Sequence, residues 1–106
     1  MNLRISENQL RFRITRDELD FLMNGEILQL DLNLSTQRLV YSISTSDSAA
    51  PLALIAGQNL LHLAVNKVTL TEFASNLPAR EGIEHEVQLG MSHVTLMLEV
   101  DVRRKR

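Results

Sequence analysis

The chain has 106 residues, 11 Lys plus Arg against 13 Asp plus Glu, and no cysteine. Its length suits one domain, residues 1–106, whose single core buries roughly two-thirds of the surface the unfolded chain exposes. The composition excludes disulfides and thiolate chemistry and favours a reducing compartment, while balanced charge and few aromatic residues argue against nucleic acid.

From the N-terminus, MNLRISENQL lacks the basic segment and long apolar run of a signal peptide. Leu3 and Ile5 predict a first strand, Ser6 to Gln9 a turn, and Leu10, Phe12 and Ile14 a second strand alternating with Arg11 and Arg13. Thr15-Arg16-Asp17-Glu18 is a capping box, in which Thr15 and Glu18 each satisfy an orphan amide. The helix it starts presents Leu19, Leu22 and Met23 and stops near Asn24-Gly25. Phe21 falls off that face and is expected against the preceding strand. Leu28, Leu30, Leu32 and Leu34 then alternate with polar residues, and Leu39, Tyr41 and Ile43 follow a turn around Ser35-Thr36-Gln37.

A polar linker is expected over 44–51, after which the order recurs. Leu52 to Ala56 predicts a strand and Gly57-Gln58-Asn59 a turn. Leu61, Leu63 and Val65 form the next strand, with His62 and Ala64 on its other face. Thr69-Leu70-Thr71-Glu72 is a second capping box, and Leu70, Phe73, Ala74 and Leu77 give a helical face that Pro78 ends. Ile83, Val87 and Leu89 mark a strand, and Val94 to Val102 alternate through the last one. No stretch reaches the roughly 18 apolar residues of a membrane span, so the expectation is a cytoplasmic protein with no membrane segment.

The pattern reads as pseudo-repeats, 1–45 and 52–103, each β-β-α-β-β, followed by a basic tail at 103–106. Thr15 with Glu18 matches Thr69 with Glu72, and Leu39, Tyr41 and Ile43 match Val94, Leu96 and Leu98. A lone hairpin is unstable in water, so the expected fold is α+β and mostly antiparallel. Eight strands form either a small barrel or a strongly curved sheet, with the two short helices covering its open sides.

The opening L-R-I-x-x-N-x-L-R-F-R-I-T-R-D-E, Leu3 to Glu18, resembles the start of a family of short, uncharacterised bacterial proteins, a domain of unknown function. The resemblance is specific at the N-terminus and weak after Ser44, where Leu98, Glu99 and Asp101 match a terminal acidic segment. Relatives often carry Phe and Cys after that acidic pair. Val102 and Arg103 stand here instead, so no thiol role carries over. As architecture only, the duplicated order also resembles the triphosphate-tunnel enzymes. Their E-x-E-x-K first strand is absent from Asn2 to Ser6, and Glu84-His85-Glu86 has the spacing on another strand, which argues against that activity.

Arg4, Arg11 and Arg13 are the leading candidate ligand-binding residues. Alternation puts Arg11 and Arg13 on one face, and a hairpin brings Arg4 to it. Three guanidinium groups suit a phosphate or carboxylate. Glu99 and Asp101 are expected as their partners if the first and last strands meet, which would make the cluster a solvated ion-paired face. Glu84 and Glu86 read as solubilising residues, since an acid–base pair needs convergent geometry. His62, His85 and His93 lack metal-ligand spacing. His85 falls where the repeat has Leu30 and is expected towards the core. Ser42, Ser44, Ser46 and Ser48 lack a nucleophile elbow. No catalytic residue, metal or cofactor is therefore expected. The expected function is a non-enzymatic binding module engaging a protein partner or a second copy. The alternative is a domain that binds an anion or phosphate ligand, or hydrolyses one, built on Arg4, Arg11, Arg13, Glu99 and Asp101.

Overall fold

A computed structural model describes residues 1–78 and 81–101. Its elements run β1 (Asn2–Ser6), β2 (Gln9–Thr15), α1 (Arg16–Met23), β3 (Leu28–Leu34), β4 (Gln37–Ser46), β5 (Leu52–Gly57), β6 (Leu60–Asn66), α2 (Lys67–Ser75), β7 (Ile83–Leu89) and β8 (Ser92–Asp101). The fold is α+β, and the strand order matches the alternation. The expected linker is shorter than 44–51, because β4 continues through Ser46. The basic tail at 103–106 lies outside the described residues.

Four hairpins share one design. Each joins its strands through a two-residue loop, closed by the pairs Ser6 with Gln9, Leu34 with Gln37, Gly57 with Leu60, and Leu89 with Ser92. Such tight loops need positive φ to match the twist of the strands they join. Asn8 (φ 56°) and Asn59 (φ 62°) supply it at the second loop position, and Ser35 (φ 53°) and Gly90 (φ 63°) at the first.

The hairpins assemble crosswise. β1-β2-β8-β7 form the first sheet and β3-β4-β6-β5 the second, so each sheet takes one hairpin from either half of the chain. Pairing within hairpins is antiparallel, whereas the two central pairs, β2 with β8 and β4 with β6, are parallel. The strands do not close into a barrel; of the two expected alternatives the open one holds, divided over two mixed sheets. The first and last strands are not neighbours, because β2 lies between β1 and β8.

Both sheets turn an apolar face to one core with the helices. Phe12, Ile14, Leu96 and Leu98 contribute from the first sheet, Ile43, Leu52, Leu63 and Val65 from the second, and Leu19, Leu22 and Leu70 from the helices. Burial of such side chains, at about 25 cal/mol per Å² of apolar surface, is the main stabilising term. Met23, expected on the apolar face of α1, is exposed, as is Phe21. The Thr15–Glu18 capping box forms as expected. Burial acts to raise the pKa of Glu18, but hydrogen bonds from the N-terminal ammonium and Thr15 outweigh it and hold the carboxyl below its ordinary value. The second box does not cap α2. Asn66 does, its Oδ1 accepting from the Thr69 amide at 2.9 Å, so the helix starts before Thr69.

Candidate functional site

Alternation leaves each sheet a second, polar face, and the register decides what meets there. On the first sheet Arg4 stands opposite Arg11, Asn2 opposite Arg13, and Arg11 and Arg13 opposite Met97 and Glu99 of β8. Asn2, Arg4, Arg11, Arg13 and Glu99 line a cleft of about 40 Å³. The three arginines are thus brought together as expected, with carboxylates supplied by β8 beside β2. Arg11 Nε lies 3.8 Å from Glu99 Oε1, and an Arg13 Nη nitrogen 3.9 Å from Asp101 Oδ1. Both are long contacts, worth little at a partly exposed surface. Arg4 makes no ion pair among the described residues, and Arg11 Nε is buried without a hydrogen-bond partner.

The other candidates disperse. Glu84 pairs in register with Met97, and Glu86 lies 3.5 Å from His93 on an exposed stretch. His85 sits half-buried on the inward face of β7, with Ile83 and Val87. No group of three or more His, Cys, Asp or Glu able to hold a metal ion occurs among the described residues. No described helix is long and apolar enough to cross a membrane.

The second sheet carries a polar cluster that residue-by-residue reading missed. His62 of β6 pairs in register with Ser42, at the place that Arg11 holds on β2. Ser42 Oγ lies 2.5 Å from His62 Nδ1, and Ser44 Oγ lies 2.8 Å from Nε2. Burial pushes the imidazole below its ordinary pKa, so it is neutral near pH 7. A neutral ring has one N–H, so one serine accepts a hydrogen bond from it and the other donates. Ser42 is only 5% exposed, and no carboxylate hydrogen-bonds the ring among the described residues. The cluster clasps β4 to β6, and its Ser42 lacks the access a nucleophile requires. No signal along the chain locates it, because a second helix starting at Thr69 aligns Arg11 with Val65, and His62 matches Arg11 only once Asn66 is the cap.

The inward face of the second sheet holds the larger surprise. Leu28 is 8% exposed, but Leu30, Leu32 and Leu34, next along the same face, are 40%, 46% and 46% exposed. Alternation had placed all four in the core. β3 is an outer strand bonded only to β4, so its free edge borders this apolar ledge. Leu39 and Tyr41, opposite Leu32 and Leu30, carry it across β4, and Leu61 extends it onto β6. A hollow of about 180 Å³ opens at that end, lined by Leu39, Tyr41, Leu60 and Leu61 among others. On the polar side of β3, Asp31 bonds Gln29 and Arg38, and these bonds hold its carboxyl below the ordinary range.

A larger cavity, about 280 Å³, lies between the end of α1 and the start of α2, lined by Met23, Thr45, Lys67 and Leu70 among others. None of the expected site residues reaches it. No curated protein matches the chain. A family model matches residues 1–103, nearly the whole length, in keeping with the resemblance of the N-terminal strands, and the chain belongs to that family, a family of unknown function (DUF7009).

Proposed function

We propose that the protein is a non-enzymatic interaction module that docks another polypeptide on the open end of its second sheet. One observation carries this reading: Leu30, Leu32 and Leu34 are exposed along a strand with a free edge. An exposed apolar edge strand is a template for pairing, which proteins ordinarily blunt with charge or cover. An added strand would satisfy the backbone groups of β3 and bury its leucines, the mode of recognition by β-augmentation. The cytoplasm is the compartment proposed, on the cysteine-free composition. We read the chain, further, as two copies of one β-β-α-β-β unit. Supporting this are the matching positions of the positive-φ turn residues and of the parallel pairs.

The test is selection of seven-residue peptides from a random library on the immobilised protein, with counter-selection on a Leu30→Lys, Leu32→Lys variant. The expected outcome is peptides of alternating apolar residues that shift the β3 backbone amides in NMR spectra. No enrichment, or shifts confined to other strands, overturns the reading.

A second reading rests on the buried Arg11 Nε, which makes no hydrogen bond and only a long ion pair with Glu99, beside Arg4 and Arg13. It makes that face a site for a small phosphate-like anion. Inorganic phosphate at 100 times its dissociation constant would then add about 2.7 kcal/mol of stability. An unchanged melting temperature in millimolar phosphate overturns it.

A further inference from the structure

Resting on the reading of β3 as a docking edge, we propose that its occupant is the β3 strand of a second copy of this chain, paired antiparallel about Leu32.

The choice of occupant follows from which residues such pairing sets face to face. Two identical strands related by a two-fold axis meet in an isologous interface, with every contact made twice. Centring on Leu32 puts Leu32 opposite itself and Leu30 opposite Leu34 of the other copy. All six leucines then share one face, on the side where Leu39 and Tyr41 already extend the ledge. On the opposite face Asp31 meets Asn33 of the second copy. An amide donating to a carboxylate is a favourable cross-strand pair, and Asp31 can accept it besides Gln29 and Arg38, since a carboxylate offers about four lone-pair sites.

One neighbouring register, centred on Asp31, is worse on both faces. It puts Asp31 against Asp31, a like-charge pair that opposes association. It also needs Leu28 opposite Leu34, and Leu28 is already buried at the end of β3 where α1 packs. The Leu32 register uses only residues 30–34, the part of the strand that is open. Pairing joins the two second sheets into one of eight strands and leaves neither β3 edge exposed.

Sedimentation velocity on the full chain, from micromolar to several hundred micromolar, tests the proposal. The expected result is a reversible shift from the mass of one chain to the mass of two. Leu32→Lys, at an exposed position that folding does not need, leaves a monomer at every concentration. Asn33→Asp sets two acidic pairs across the interface and weakens the dimer at least tenfold. Adding Asp31→Asn to it restores an amide–carboxylate pair and most of the affinity.

A wild-type chain that stays monomeric throughout overturns the self-pairing, as does a dimer that survives Leu32→Lys. A dimer that is lost with Leu32→Lys but unmoved by Asn33→Asp overturns the register. If the chain is monomeric yet still binds the selected peptides at β3, the docking edge stands and only the identity of its occupant falls.

Discussion

The two sheets are built alike and finished differently. Both have two tight hairpins joined through a parallel central pair, with a helix following the inner strand of one hairpin. At the strand ends remote from the helix starts, the central pair of the first sheet is closed, Leu10 being 8% and Leu96 0% exposed, although Ile5 of the outer strand β1 is 62% exposed. The counterparts of Leu10 and Leu96 in the second sheet, Leu61 and Tyr41, are only half-buried, and the leucines of β3 beyond them are exposed. The polar faces diverge as well, Arg11 with Glu99 on one and His62 with two serines on the other. The difference teaches that a strand pattern sets which face is apolar, whereas cover is a property of the assembly. β5 lies against β7 and β8 of the first sheet, and β3 receives no comparable cover from it.

Truncating the paired positions breaks the comparison most sharply. Leu96→Ala removes a fully buried side chain and leaves a cavity, costing about 3 kcal/mol. Tyr41→Ala, at the matching place on β4, removes a ring that solvent already reaches, and is expected to cost about 1 kcal/mol. Urea unfolding of both variants measures the gap. Equal losses would mean that the ledge is covered in solution.

The polar faces separate with pH. Burial depresses the pKa of His62 in the folded chain. The unfolded chain therefore takes up a proton at His62 first, near pH 6.5, and folding stability falls as pH drops below that value. The contribution is fully present above pH 6.5 and lost towards the lower folded value. His62→Gln should flatten this part of the dependence. The difference in urea midpoint between wild type and variant, followed from pH 7.5 to 5, checks it. A difference that stays constant over that range would show that the clasp between β4 and β6 does not titrate.

The features legible in the sequence were those set by near neighbours along the chain. Alternation located all eight strands, Thr15 with Glu18 started α1, and the spacing of Arg4, Arg11 and Arg13 put them on one face. What depends on distant pairing was hidden. Nothing in alternation says that β2 should lie parallel to β8, so the partnership of Arg13 with Asp101 depends on a strand pairing that the sequence pattern does not specify. The Ser42–His62–Ser44 cluster needs the β4–β6 register to exist at all. At α2 two caps competed, and Asn66 won because its side chain reaches the amide of Thr69 from the strand end. Leu30, Leu32 and Leu34 were misplaced for the plainest reason: an apolar face predicts burial only where something lies over it.

The smallest expected effect sharpens the likeness of the sheets instead of their contrast. Ser35 and Gly90 hold the same place in the loops leading into β4 and β8, at φ 53° and 63°. A side chain in the left-handed region costs about 1 kcal/mol, which glycine avoids. Glycine gives part of this back through its larger unfolded-state entropy, so Ser35→Gly should gain about 0.5 kcal/mol. For a domain of this size that is a rise of roughly 2–4 °C in melting temperature. The reverse change, Gly90→Ser, meets no atom within 4 Å at the added Cβ, so its cost is conformational and should be of equal size and opposite sign. Calorimetry of the two variants compares the loops directly. Shifts of the same magnitude would show that both turns carry the same strain, and a neutral Ser35→Gly would place the asymmetry of the sheets in their loops as well as in their cover.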